Sequence, residues 1–104
     1  MEPGRIDTLK GMLEKDPNDA TLYYFLGNEY FKVGKYTETI EAIRTYLSLG
    51  TDEGAAYRTL AQSLERAGNI VEARIAYQQG MEAASRHSHP GMVAEFEQAL
   101  KELG

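Results

Sequence analysis

The 104-residue chain contains no cysteine. Disulfides, thiolate metal sites and cysteine nucleophiles are therefore excluded. Basic residues are also scarce, 11 against 16 acidic ones, giving a formal net charge of -5. Nucleic acids and anionic membranes need a positive surface, so this balance argues against both as partners. No apolar run approaches the length needed to cross a bilayer, and the start, MEPGRIDTLKGMLEK, has no signal-like core. A cytoplasmic location is the expectation. No segment alternates apolar and polar residues for long enough to make a strand.

What is present is helical periodicity broken at even intervals. Pro17, Gly34, Gly50, Gly68 and Pro90 punctuate the chain. Ile6, Leu9, Met12 and Leu13 form one stripe, closed by Asp16-Pro17. Asp19 can cap a helix carrying Tyr23, Leu26, Tyr30 and Val33, ending at Gly34. Tyr36, Ile40, Ile43 and Leu47 mark a third helix, closed by Gly50. Asp52 can cap a fourth with Tyr57, Leu60, Leu64 and Ala67. Asn69 and Glu72 have capping-box spacing and open a fifth. Pro90 suits the first turn of a sixth, with Met92, Phe96, Leu100 and Leu103. The reading is all-α, about six short antiparallel helices joined by short loops.

Shifting the chain by about 34 residues tests for an internal repeat. Tyr23 falls on Tyr57, Leu26 on Leu60, Gly27 on Ala61, Gly34 on Gly68, Glu38 on Glu72 and Ala42 on Ala76. The matches sit at helix-packing and turn positions. Tyr23, Leu26-Gly27, Tyr30, Gly34 and Tyr36 resemble the tetratricopeptide repeat (TPR), a motif of aromatic, Leu-Gly, Tyr and a turn Gly. Residues 20–53 are a close copy. Residues 54–87 are a looser one, through Tyr57, Leu60-Ala61, Gly68 and Ala73. Residues 5–16 resemble the closing helix of a preceding repeat, and 90–103 a capping or partial-repeat helix. Thr39 and Tyr46 stand where the family prefers a smaller residue. The resemblance implies one domain, 1–104, of helix pairs stacked as a short right-handed superhelix.

It also implies that Gly27 and Ala61 lie where the two helices of a repeat cross. Glycine inside a helix costs about 1 kcal/mol relative to alanine. Burial of one large neighbour returns roughly 1.5–3 kcal/mol. Gly27→Leu is expected to overpack that crossing and destabilise by about 1–3 kcal/mol.

Catalytic constellations are wanting. His87-Ser88-His89 has no Asp or Glu at ligand spacing, and reads as a polar loop before a helix rather than a metal site. Ser85 and Ser88 lack a nucleophile-elbow turn. The glycines fall at helix ends and crossings, not in a phosphate-binding loop. The expectation is a non-enzymatic chain without cofactor or metal.

A binding surface is the better candidate. In the family the first helix of each pair lines a concave face. Turned away from the core stripe are Thr21, Tyr24, Asn28, Phe31 and Lys32. The second copy supplies Ala55, Arg58, Gln62, Glu65 and Arg66. Tyr and Arg are frequent binding hot spots, and Asn28 and Gln62 can bond a peptide backbone. The competing reading for Tyr24, Phe25 and Phe31 is packing against the N-terminal helix. Family members that clamp chaperone C-termini use a Lys and two Asn on the first repeats. Asn28 matches one Asn, but Tyr24 and Thr59 replace the others, and His89 and Val93 stand where a basic pair belongs. That argues against a chaperone clamp. The expected function is a protein-interaction module holding a peptide or helix in its groove, an adaptor or scaffold. The alternative is a homo-oligomerising module or a piece of a longer array, with the apolar last helix as a homodimer surface.

Overall fold

The computed structural model describes residues 4–104. Among them are six α-helices and no strand: α1 (Arg5–Lys15), α2 (Ala20–Lys32), α3 (Tyr36–Leu49), α4 (Ala55–Arg66), α5 (Ile70–Arg86) and α6 (Pro90–Leu103). They form two compact units, one ending at Thr51 and one spanning Asp52–Gly104.

In the first unit α2 and α3 make an antiparallel hairpin. Gly27 of α2 faces Ile43 and Ala42 of α3. One turn earlier Tyr24 meets Tyr46, one turn later in α3. A Cβ built on Gly27 would lie 2.6 Å from Ile43 Cδ1, so only glycine lets the helices approach this closely. This is the crossing expected from the sequence. Asp19 starts α2 by accepting the Thr21 N–H at 3.0 Å. Thr39, fully buried, satisfies its hydroxyl by donating to Lys35 O at 2.8 Å. A threonine is thereby tolerated where the repeat prefers a smaller side chain. Helix α1 adds Leu9, flanked by Ile6 and Leu13, to a cluster with Leu22, Leu26 and Tyr30 of α2.

In the second unit α5 packs on both α4 and α6. Gly80 is the meeting point: an added Cβ would be 2.8 Å from both Tyr57 Cβ and Phe96 Cε2. Phe96 is fully buried, with Leu60, Leu64 and Tyr77 nearly so.

One turn type recurs. Gly34 takes φ +77° and Gly68 φ +84°, the left-handed region that favours glycine. Gly34 N–H bonds Phe31 O and Lys35 N–H bonds Tyr30 O, at 3.1 and 3.0 Å. Gly68 and Asn69 repeat the pair on Glu65 O and Leu64 O, at 3.0 and 2.8 Å. These are Schellman closures, which satisfy carbonyls the helix end leaves open. The α5–α6 turn has the same pattern through Ser88 and His89, but with Ser88 at φ +59°.

Two caps differ from expectation. Asp52 does bond the start of α4, accepting from Gly54 N–H and Ala56 N–H at 2.8 and 2.9 Å, but it precedes the N-cap Gly54 by two residues. Asn69 is the N-cap of α5, yet its side chain makes no cap bond, so the expected capping box does not close. Its backbone N–H is already drawn into the preceding Schellman turn.

Candidate functional site

The groove residues expected from the sequence lie on two helices, Thr21, Tyr24, Asn28, Phe31 and Lys32 on α2 and Ala55, Arg58, Gln62, Glu65 and Arg66 on α4. Each helix belongs to a different unit.

On α2, Tyr24 is half-buried, its ring centroid 5.0 Å from that of Tyr46 and 6.3 Å from that of Phe25. Tyr46 fills a position where the repeat prefers a smaller residue, and Tyr24 lies over it. Phe25 stays 41% exposed. Asn28 is half-buried, and Phe31 meets Tyr36 edge-on at 5.8 Å. None of these aromatics joins the cluster around α1, which draws on Leu22, Leu26 and Tyr30 instead. Lys32 is exposed and pairs with Glu29 at 2.9 Å, and Arg5 reaches the same carboxylate at 3.3 Å. Lys32, and more weakly Arg5, hold the Glu29 carboxyl below the usual carboxylate range.

On α4, Arg58 is half-buried and forks onto Glu95 of α6, with Nε 2.5 Å from Oε2 and Nη2 2.7 Å from Oε1. Its guanidinium also lies 5.9 Å from the Phe96 ring centroid. Gln62 is half-buried and Arg66 exposed. Glu65 accepts a hydrogen bond from the Tyr77 hydroxyl. Burial, and then that bond, push the Tyr77 phenol well above its ordinary range.

Sequence reasoning missed both partners on this helix. Arg58 and Glu95 are 37 positions apart, beyond any local pattern. The Tyr24–Tyr46 contact did leave a signal, because the two residues stand symmetrically about the Gly34 turn and Tyr46 is oversized for its place.

At the α5–α6 turn, His89 Nε2 lies 3.2 Å and His87 Nδ1 3.7 Å from Glu53 Oε1. Among the described residues, no group of three or more His, Cys, Asp or Glu is arranged to hold a metal ion. No helix among them is long and apolar enough to cross a membrane. The last helix is less open than its stripe suggested. Phe96 is enclosed, and Met92, Val93, Leu100 and Leu103 are half-buried. In this unit the large exposed apolar side chains are Ile70, Val71 and Ile75, all on α5.

No protein-family model matches the chain. A TPR repeat-containing protein of Pseudomonas aeruginosa is 26% identical over 98 residues, covering 94% of this chain and 93% of that protein. Stress-induced-phosphoprotein 1 of Caenorhabditis elegans is 25% identical over 95 residues, 88% of this chain but only 30% of the relative's length. The solution structure of a Bordetella parapertussis protein superposes with a TM-score of 0.83 at 22% identity, covering 98% of this chain and 89% of the other. The all-α fold and the resemblance to tetratricopeptide repeats are both borne out by these matches.

Proposed function

We propose that this relative of TPR proteins is a non-enzymatic protein-interaction module, an adaptor or scaffold that receives a peptide or helix along α2 and α4. The observation that carries the reading is the aromatic ledge of α2. Tyr24 is propped on Tyr46 beside the exposed Phe25, with Asn28 one turn on. Rings fixed in place yet open to solvent lose little entropy on binding and offer large apolar area. Asn28 adds a donor and an acceptor for a peptide backbone. On α4, Gln62 has the same capacity, and Arg58 is aimed by its fork on Glu95. An acidic ligand at Arg58 has to displace Glu95 or share the guanidinium with it. The two helix pairs act as consecutive repeats of one domain in this proposal, with α1 and α6 as flanking helices and the cytoplasm as the setting.

The test is a pull-down from source-cell extract with wild type and a Tyr24→Ala, Asn28→Ala, Arg58→Ala variant confirmed to melt at a similar temperature. A partner retained by wild type and lost by the variant is the expected result. Identical captured sets overturn the groove. A second reading, self-association, draws on Val71 and Ile75 of α5, which are 76% and 48% exposed. Light scattering across a dilution series separates it from the first, since a peptide-binding monomer keeps one mass throughout.

A further inference from the structure

A recess of the first unit lies off the Tyr24 stripe. Tyr23, Leu26, Tyr30 and Ala42 line its apolar side, and Glu38 and Glu41 its polar side. Its volume is about 240 Å³. That is below the roughly 300–1,000 Å³ of pockets that enclose drug-sized ligands, and suits a single side chain. The Tyr23 hydroxyl is already committed to Pro17 O at 2.8 Å, and Tyr30 is buried to 7% exposure, so both aromatic walls are preformed.

The lining joins two phenol rings to two carboxylates. Ring faces and carboxylates attract the same chemistry, a cation. The molecule supplies one example itself: Lys10 of α1 places Nζ 5.8 Å from the Tyr30 ring centroid. Its ammonium is favoured chiefly by Tyr30, with Asp7 and Glu38 adding smaller attractions. Lys10 is exposed and held by Tyr30, with weaker pulls from Asp7 and Glu38, so a guest cation has to compete with it.

We propose that this cleft binds the arginine or lysine side chain of a basic partner segment, with Lys10 as a resident competitor. The charge is complementary, Glu38 and Glu41 on the cleft and -5 on the whole chain. Arginine is the preferred guest, because its planar guanidinium can lie on a tyrosine ring while forking onto a carboxylate.

The test is an NMR titration of ¹⁵N-labelled protein with a capped Gly-Arg-Gly peptide, and with the neutral isostere Gly-citrulline-Gly. Saturable shifts are expected at Tyr23, Tyr30, Glu38 and Glu41 with the arginine peptide alone. Lys10→Ala should tighten binding about two- to fivefold, the equivalent of one removed cation–π contact. Glu38→Gln with Glu41→Gln should weaken it by a similar factor or more. Shifts scattered over the surface and equal in every variant overturn the proposal, as does equal binding of the citrulline peptide. Should the double variant lose its fold, the Lys10→Ala arm still decides, and unchanged affinity there also overturns it. None of the residues in the pull-down variant lines this cleft, so the two ideas fail separately.

Discussion

Single positions in this chain are set by close approach. Gly27 is the clearest, because even a methyl group would press on two carbons of Ile43. The destabilisation expected for Gly27→Leu, about 1–3 kcal/mol, is therefore a matter of contact distance and not of helix propensity alone. A thermal melt of that variant matching wild type would contradict the crossing. Ser63 poses the opposite case. It is fully buried on α4, and its hydroxyl has no hydrogen-bond partner. A buried hydroxyl left unsatisfied costs roughly 1–3 kcal/mol. Ser63→Ala removes the polar atom with almost no change in volume, so it should raise stability by about 1 kcal/mol. Chemical denaturation would show this as a higher midpoint at unchanged slope. A lower midpoint would mean that the hydroxyl finds a partner in solution.

Between elements, turn chemistry and cross-helix bonds decide the geometry. Gly34, Gly68 and Ser88 close three helices by one motif, and only Ser88 lacks glycine's freedom at positive φ. The left-handed conformation costs a non-glycine residue about 1–2 kcal/mol, so Ser88→Gly should stabilise, offset in part by the looser unfolded chain. A melting temperature at or below wild type would refute that. The Tyr77–Glu65 bond ties α5 to α4 and brings a pH dependence. The folded phenol titrates above its unfolded value near 10, chiefly through burial. The neutral form is the one the fold favours. Its stabilisation is thus complete below about pH 10 and is lost as pH climbs from there toward the folded value. Tyr77→Phe should flatten the decline in melting temperature between pH 9 and 11.5. Parallel declines in the two proteins would exclude Tyr77 as the source. Element boundaries were legible in the sequence because Pro17, Gly34, Gly68 and Pro90 act locally. The crossing of the first hairpin was legible because Gly27 holds the repeat's small-residue position. The partners of Arg58 and Glu65 were not, since Glu95 and Tyr77 lie on other helices and salt bridges leave no periodic trace. The groove stripe followed from helical phase alone, which says which way a side chain leaves the helix but not what meets it there.

At the scale of the molecule, each unit holds its own core. The second has α5 packed between two partners, with Tyr57, Gly80 and Phe96 meeting at one point and Leu60, Leu64 and Tyr77 enclosed. In the first, α1 is joined to α2 through Leu9 and the flanking Ile6 and Leu13, a narrower attachment. Domains of fewer than about 60 residues bury a smaller share of their surface and are marginal, so the difference should be measurable. A fragment of residues 52–104 is expected to keep helical circular dichroism and a cooperative melt, while one of residues 4–51 melts at lower temperature with a broader transition. Helix α1 should exchange its amides faster than α2 and α3 in the intact chain, since few buried apolar contacts mean a low cost of local opening. A random-coil spectrum from the 52–104 fragment would show that the second core is not self-sufficient. Equal amide protection across the first three helices would show that α1 is held by more than its leucine contacts. The proposed cation cleft depends on this outcome, for Lys10 competes there only while α1 stays docked.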